Sequence, residues 1–373
     1  MKRKQIILLA AFAVSIFGGS VAAEELQQPV FSPITYTLAD DAAVSPSDGG
    51  VWSLFDRDGE GIEVNGWTQF GYHDRSTELF NTNPKQGTLH QVWFEFDKAS
   101  DADAEGLGIG YHFDLMYGAD ANNTNSFNQN QTTGWDAGIS DADDAFGWAM
   151  PQMYVEGHVG DWSVIVGKFY TIVGYEVVQA PGNFFYSHAK TMTSEPRTHT
   201  GLLASKTTEA GVDLSFGYSS GWDTGFQSHG SNGIIGLGKS ISGLSLNYVT
   251  TFGDISETEN GYTHSVVMKV NLGEKMDYVF QSDYVDTTTR YEIGVNQYLF
   301  YTVSDDVTLG ARLEWWRNGN NLGADSEYSF TSGINYRPQT RFDLTLRPEV
   351  RIDWNETSTN TDVTFGMDAI LTY

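Results

Sequence analysis

The chain has 373 residues, no cysteine, and 48 acidic against 21 basic side chains, for a net charge of −27. So acidic a chain will not hold nucleic acid through its phosphates, and the lack of cysteine excludes a disulfide-stapled module and any thiolate-held metal. Hydrophobic residues make up only 40% and mean hydropathy is −0.32, yet aromatics reach 14% with 40 glycines; this suits a membrane barrel, in which half of each strand faces a polar lumen.

Lys2, Arg3 and Lys4 precede an apolar run from Ile6 to Phe17, which small residues close at Val21, Ala22 and Ala23. That order predicts a cleavable signal peptide over residues 1–23. The run is too short to span a bilayer as a helix, which takes roughly 20 residues. Cleavage after Ala23 removes three basic residues and no acid, leaving 18 against 48. Residues 24–60 are polar and acidic, with Asp40, Asp41, Ser45, Pro46 and Gly49, and are expected to form a loosely ordered periplasmic segment.

From Gly61 to Tyr373 the chain alternates. Val92, Phe94 and Phe96 alternate with Gln91, Glu95 and Asp97; Tyr111, Phe113 and Leu115 with His112, Asp114 and Met116. Similar sets follow at Val212–Tyr218, at Leu244–Phe252, at Val307–Trp315 (around Arg312 and Glu314), and at Phe342–Ile352 (around Arg347, Glu349 and Arg351). In the last segment Val363, Phe365, Met367, Ala369, Leu371 and Tyr373 share one face; Thr364, Gly366, Asp368 and Thr372 share the other, with Ile370 out of pattern. A period of two marks strands with one apolar face, here expected to meet lipid. Tyr117 and Tyr373 are expected to mark the outer and inner aromatic belts.

Connection lengths separate a membrane barrel from a soluble sandwich. Short turns at Gly160-Asp161, Lys206–Ala210, Ser240–Gly243, Leu272–Lys275, Ser304–Asp306 and Pro338–Arg341 tend to alternate with longer polar loops. The loops are His73–Thr88, Gly118–Gly147, Thr171–Thr198, Ser219–Ser231, Gly253–Gly261, Arg317–Asp325 and Asp353–Thr361; the turn Lys98–Gly106 is long for its place. Short periplasmic turns and long outer loops are the habit of an up-and-down transmembrane antiparallel β-barrel. Counting gives about 16 strands of roughly ten residues, wide enough for an aqueous channel.

Three motifs invite a chemical reading. Gly233–Ser240 matches the phosphate-loop pattern, but that loop needs a helix after it and Leu244–Phe252 alternates as a strand. His229-Gly230-Ser231-Asn232-Gly233 resembles the His-x-Ser-Asn-Gly motif of the outer-membrane phospholipase A family, whose His and Ser act as base and nucleophile; a Gly/Ser/Asn loop tip is the plainer account. Asp56/Asp58 and Asp141/Asp143/Asp144 lack calcium-loop spacing, and no cofactor is expected.

The stretch Asp161–Gly201 is more specific. It holds Gly167-Lys168-Phe169-Tyr170, Gly174-Tyr175-Glu176, Pro181-Gly182-Asn183-Phe184-Phe185-Tyr186-Ser187-His188, Glu195-Pro196 and Thr198-His199-Thr200-Gly201. With Gly66-Trp67 and Gly221-Trp222-Asp223, this order resembles the putative beta-barrel porin-2 family, the OmpL-like porins of diderm bacteria. The resemblance covers roughly Gly61 to Tyr373 and implies an outer-membrane pore, with no catalytic residue carried over.

The expected function is passive diffusion of small polar solutes and ions through a barrel seated in the outer-membrane bilayer, open to homo-oligomer formation. The alternatives are a barrel enzyme of the phospholipase kind and a plugged structural or adhesion barrel. The connection Thr171–Thr198 follows the fifth strand as the third long loop, and by resemblance to sixteen-stranded general porins it is expected to fold into the channel. Pro181-Gly182 would turn it, and Phe184, Phe185 and Tyr186 would pin it. Glu176, Lys190, Glu195 and Arg197 would then form the constriction. Asp114, Arg312, Glu314, Arg347, Glu349 and Arg351 would line the wall, with a transverse field between loop acids and wall arginines, or with these groups simply paired to one another.

Overall fold

A computed structural model of the protein describes residues 61–101, 108–126, 145–226, 230–320, 323–357 and 361–373. The signal peptide and the acidic segment 24–60 lie outside them, as does His229.

Almost all of the described chain is antiparallel strand. The first half runs β1 (Glu63–His73), β2 (Gly87–Lys98), β3 (Gly110–Gly118), β4 (Gly147–Ala149), β5 (Met153–Val159), β6 (Trp162–Tyr170), β7 (Thr198–Thr207) and β8 (Val212–Trp222). The second runs β9 (Ser231–Ile241), β10 (Leu244–Asp254), β11 (Asn260–Asn271), β12 (Met276–Thr287), β13 (Arg290–Ser304), β14 (Val307–Asn320), β15 (Gly323–Tyr336), β16 (Asp343–Asn355) and β17 (Thr361–Thr372). β4 and β5 both pair with β3, at Met116↔Ala149 and Phe113↔Met153, so they are two halves of one crossing. The barrel therefore has sixteen crossings, as the alternation predicts. β1 pairs with β17 from Trp67↔Thr372 to His73↔Gly366 and closes the sheet. Closure leaves no edge for lipid to satisfy.

The turns follow their local chemistry. Between β9 and β10 the two residues Ser242 and Gly243 both take positive φ, 40° and 76°, the sense that matches hairpin twist. Ser240–Gly243 is thus a tight hairpin, and Gly233–Ser240 is extended strand rather than a phosphate loop. One expected loop is mostly strand: β14 reaches Asn320 and β15 begins at Gly323, paired as far as Asn320↔Gly323, so the polar run Arg317–Asp325 extends the ladder.

Facing agrees with the alternation. Phe365 is 45% exposed on the outer face, Met367 is exposed, and Tyr111, Phe113, Leu115 and Leu371 are partly exposed. Asp114, Arg312, Arg347 and Asp368 are buried inside. Tyr373 departs from the belt position expected of it. It is buried, packs on Phe94 at 6.0 Å and donates its hydroxyl to the carbonyls of Trp67 and Trp93 at 3.3 Å each, so it staples the closing seam.

The inside is not uniformly polar. Trp67, Trp93, Met116, Tyr170 and Ile370 form one buried cluster with loop residues Phe80, Val178 and Met192. Phe169, Leu203, Ile234 and Val249 form a second with Ile172 and Val173, and Val267, Val279, Tyr298 and Phe300 a third with Phe184 and Phe185. Ile370, out of pattern in the sequence, belongs to the first.

Candidate functional site

All three apolar clusters share one partner, the connection of residues 171–197 between β6 and β7. It turns inward, with short 3-10 turns at Ala180–Gly182 and Lys190–Thr193. Pro181 opens the first turn, where its missing N–H is no loss. Asn183 then holds the turn from inside: Nδ2 donates to the carbonyls of Val177 (2.7 Å) and Gln179 (3.0 Å), and Oδ1 accepts from Val177 N (3.0 Å).

The wall makes room for this loop with glycine. A Cβ on Gly310 of β14 would overlap the Phe184 ring, one on Gly71 of β1 would overlap the Tyr186 phenol, and one on Gly294 of β13 would overlap the Thr191 methyl. Inward glycine in mid-strand marks such a close approach.

Three wall arginines then clamp the loop by its backbone. Arg312 has no exposed surface; its Nη1 donates to Ser187 O at 2.7 Å and Glu176 Oε1 at 2.8 Å, and its Nε to Glu314 Oε1 at 2.7 Å. Arg347 donates to the carbonyls of Ala180 (2.9 Å) and Asn183 (2.5 Å) while its other edge grips both Asp368 oxygens. Arg351 donates to His188 O at 2.7 Å and to Asp353. Two wall acids take the complementary N–H groups: Glu349 accepts from Tyr186 N (2.9 Å) and Ser187 N (3.0 Å), and Glu314 from Lys190 N (2.8 Å). The planar fork of arginine suits such multiple grips.

The loop charges are engaged as well. Glu176 accepts from Arg312, Ala189 N (2.8 Å) and Tyr298 OH (3.0 Å), and contacts His188 Nδ1 at 3.1 Å. Burial pushes its carboxyl up, but Arg312 and these hydrogen bonds prevail and bring it down to about 2. Lys190 pairs with Glu327 at 2.5 Å and Arg197 with Asp223 at 3.5 Å; Glu195 accepts from Gln281 Nε2 at 2.6 Å. Glu176 and Arg312 therefore meet directly rather than across a gap, and the geometry is that of paired charges, not of a field between opposite walls. Asp114 stands apart on β3, accepting from His112 (2.8 Å) and Gln152 (3.1 Å).

Sequence reasoning missed several groups that hold the loop: Asp223, Gln281, Asp283, Glu327, Asp353 and the pair His73 and His90. The last two bracket Tyr186, whose hydroxyl lies 2.5 Å from His90 Nε2 and 3.3 Å from His73 Nδ1, with Asp120 behind His90 at 2.8 Å. Gly71, Gly294 and Gly310 were legible as a signal, because each sits at an inward position of its strand.

Above the loop lies a vestibule of about 790 Å³, lined by Asp74–Glu78 and Lys85 from the β1–β2 loop, by Lys190, and by Glu327, Arg351, Asp353, Asp362 and Thr364. Its β1–β2 side is strained: Glu78, Phe80 and Lys85 have φ of 72°, 63° and 65°, which non-glycine residues seldom adopt. Phe80 is tucked inside against the His188 ring at 4.8 Å.

The sequence profile of the putative beta-barrel porin-2, OmpL-like family matches residues 61–373. The chain belongs to this family. Solved structures with the same fold include OmpT of Vibrio cholerae in its trimer form (11% identity, TM-score 0.57) and the outer membrane channel DcaP of Acinetobacter baumannii (9%, 0.55). An anion-selective porin from Comamonas acidovorans is similar at 9% and 0.55. Each alignment covers 84% of this chain, with 99%, 97% and 99% of the other. No curated protein sequence matches. The protein is thus a porin-family β-barrel of the outer membrane.

Proposed function

We propose that the barrel carries small polar solutes and ions passively across the outer membrane, after export by the signal peptide over residues 1–23. Family membership and the named channels and porins support a channel over a barrel enzyme. The observation that carries the reading is the charged vestibule of about 790 Å³, lined by residues of the β1–β2 loop, by wall residues such as Glu327 and Arg351, and by Lys190 of the inner loop. Loop 171–197 is then the constriction, with Glu176, Lys190, Glu195 and Arg197 on the loop. Arg312, Glu314, Arg347, Glu349 and Arg351 act on the wall as its mounts, and Asp114, buried on β3, belongs to the wall near the start of the loop through Gln152 and Tyr170. A homo-oligomer is part of the reading, supported by the trimer form of the Vibrio protein.

The three apolar clusters favour a second reading, a barrel that the loop keeps shut. Conductance of purified protein in a planar bilayer separates the two. Steady ohmic steps, enlarged when residues 171–197 are shortened, support the open channel. Current only from the shortened variant means a plug, and no current from either removes the channel reading.

A further inference from the structure

The inner loop is held by arginines over most of its length, but its return limb is held differently. Glu195, buried, turns toward β12. There Gln281 Nε2 donates to Glu195 Oε1 at 2.6 Å and also to Asp283 Oδ2 at 2.6 Å. Asn296 Nδ2 donates to Gln281 Oε1 at 3.2 Å, which fixes the amide with its nitrogen between the two carboxylates. The two acceptor oxygens can be no farther apart than those two bonds laid end to end. Asp283 is also buried, and among the described residues its Oδ1 has no hydrogen-bond partner.

Among the described residues no ion pair neutralises either carboxylate. From β11, Ser265 faces it while taking the Gly174 N–H at 3.2 Å; farther along that strand Lys269 sits over the Tyr175 ring at 5.5 Å. From β13 come Asn296 and, two rungs up, Glu292, which Arg290 holds at 2.7 Å. Within the loop Glu176 is bound to Arg312, Lys190 to Glu327 and Arg197 to Asp223. Burial, then Asp283, then Glu176 push the Glu195 carboxyl well above the ordinary range, against the single amide of Gln281. Two buried carboxylates this close cannot both ionise.

We propose that Glu195 and Asp283 share one proton while the loop is docked, and that losing this proton drives the return limb of the loop off β12. This rests on the reading of the loop as the constriction. Gly174, with φ of 87°, packs so tightly on Glu195 that a Cβ there would overlap its carboxylate, so the two limbs of the loop meet at this point. Release at Glu195 therefore loosens the neck of the loop while the arginine clamps keep its tip.

The sign follows from proton linkage. The docked state binds one proton more than the released state once pH exceeds the ordinary carboxylate value. Raising pH then favours release, by at most about tenfold per pH unit for one proton. Acid closes the constriction and alkali loosens it.

The absence of cysteine gives a clean probe. Ser194→Cys places a single thiol beside the latch, at a buried position. Its labelling by a soluble maleimide, relative to an exposed reference thiol measured at the same pH, is expected to rise between about pH 5 and about pH 9. Glu195→Gln mimics the protonated state, so in that background labelling stays low and flat. A flat profile in the parent protein, or an unchanged rise in the Gln variant, overturns the latch. Single-channel conductance measured in parallel keeps the two ideas apart. Labelling that behaves as expected with no current at any pH retains the latch and removes the channel.

Discussion

Arg312 shows how much one wall residue carries. It is completely buried and joins Glu314, Glu176, Ser187 and Thr331. Arg312→Met leaves Glu176 and Glu314 buried without their main counter-charge, a change that costs about 3–5 kcal/mol. The loop is expected to become protease-sensitive and the channel conductance to rise; an unchanged digestion pattern from outside counts against the clamp. Arg312→Lys restores a charge but not the fork, so it should rescue only part. The pH response of the Glu176 contact has the opposite sign to that of Glu195. A carboxyl held down to about 2 stabilises docking above its ordinary value, near 4.3. That contribution fades as pH falls from there toward 2. Loss of the Glu176–Arg312 contact on acidification is thus expected only in strong acid, and protection of the loop tip that falls on acidification with a midpoint near neutrality would contradict the assignment.

At the scale of elements, the strands were legible because the bilayer imposes a period of two on each of them. Tyr111, Phe113 and Leu115 against His112 and Asp114 could be sorted from sequence alone. Placing Arg at Phe113 is expected to cost about 2–4 kcal/mol near mid-bilayer. Folding titrations into lipid vesicles would measure it, and a value near zero would move Phe113 out of the hydrocarbon. Strand ends were less legible, since polar residues serve loops and emergent ladders equally; Arg317–Asp325 reads as a loop and folds mostly as strand. The inward apolar residues were least legible. Trp67, Trp93 and Ile370 have no reason to face a lumen until the loop that covers them is known, because their partners lie far away in sequence, at Val178 and Met192. The same holds for the pairing of Glu195 with Asp283, which needs both the loop path and the β12 register. The inward loop was expected from its length and its Pro-Gly and aromatic content, and Arg312, Glu314, Arg347, Glu349 and Arg351 were expected on the wall facing it; their grip on the loop backbone, and the added hold of Asp223 and Gln281, were not legible because they depend on the path the loop takes.

At the scale of the whole molecule, net charge and local charge act over different ranges. The chain carries 48 acids against 21 bases, and a mouth embedded in such a field concentrates cations. The vestibule itself is nearly balanced. Asp74, Glu78, Glu327, Asp353 and Asp362 face Arg75, Lys85, Lys190 and Arg351, and Arg75–Asp362, Lys190–Glu327 and Arg351–Asp353 are ion pairs. At the loop the arginines are spent on carboxylates and carbonyls, so no free belt of positive charge meets a passing ion among the described residues. On the proposed channel reading, selectivity comes from the summed acidic field rather than from a filter. Such a field reaches about 8 Å at physiological salt and about 3 Å at 1 M. The expected result is weak cation preference in a KCl gradient at low salt, fading toward none near 1 M. A reversal potential that favours anions, or a cation preference that persists at high salt, would place a fixed charge in the path itself. Lys85→Glu offers the check on position: it lies at the vestibule, outside the ion pairs named above, and should raise cation preference at low salt while leaving the high-salt conductance unchanged.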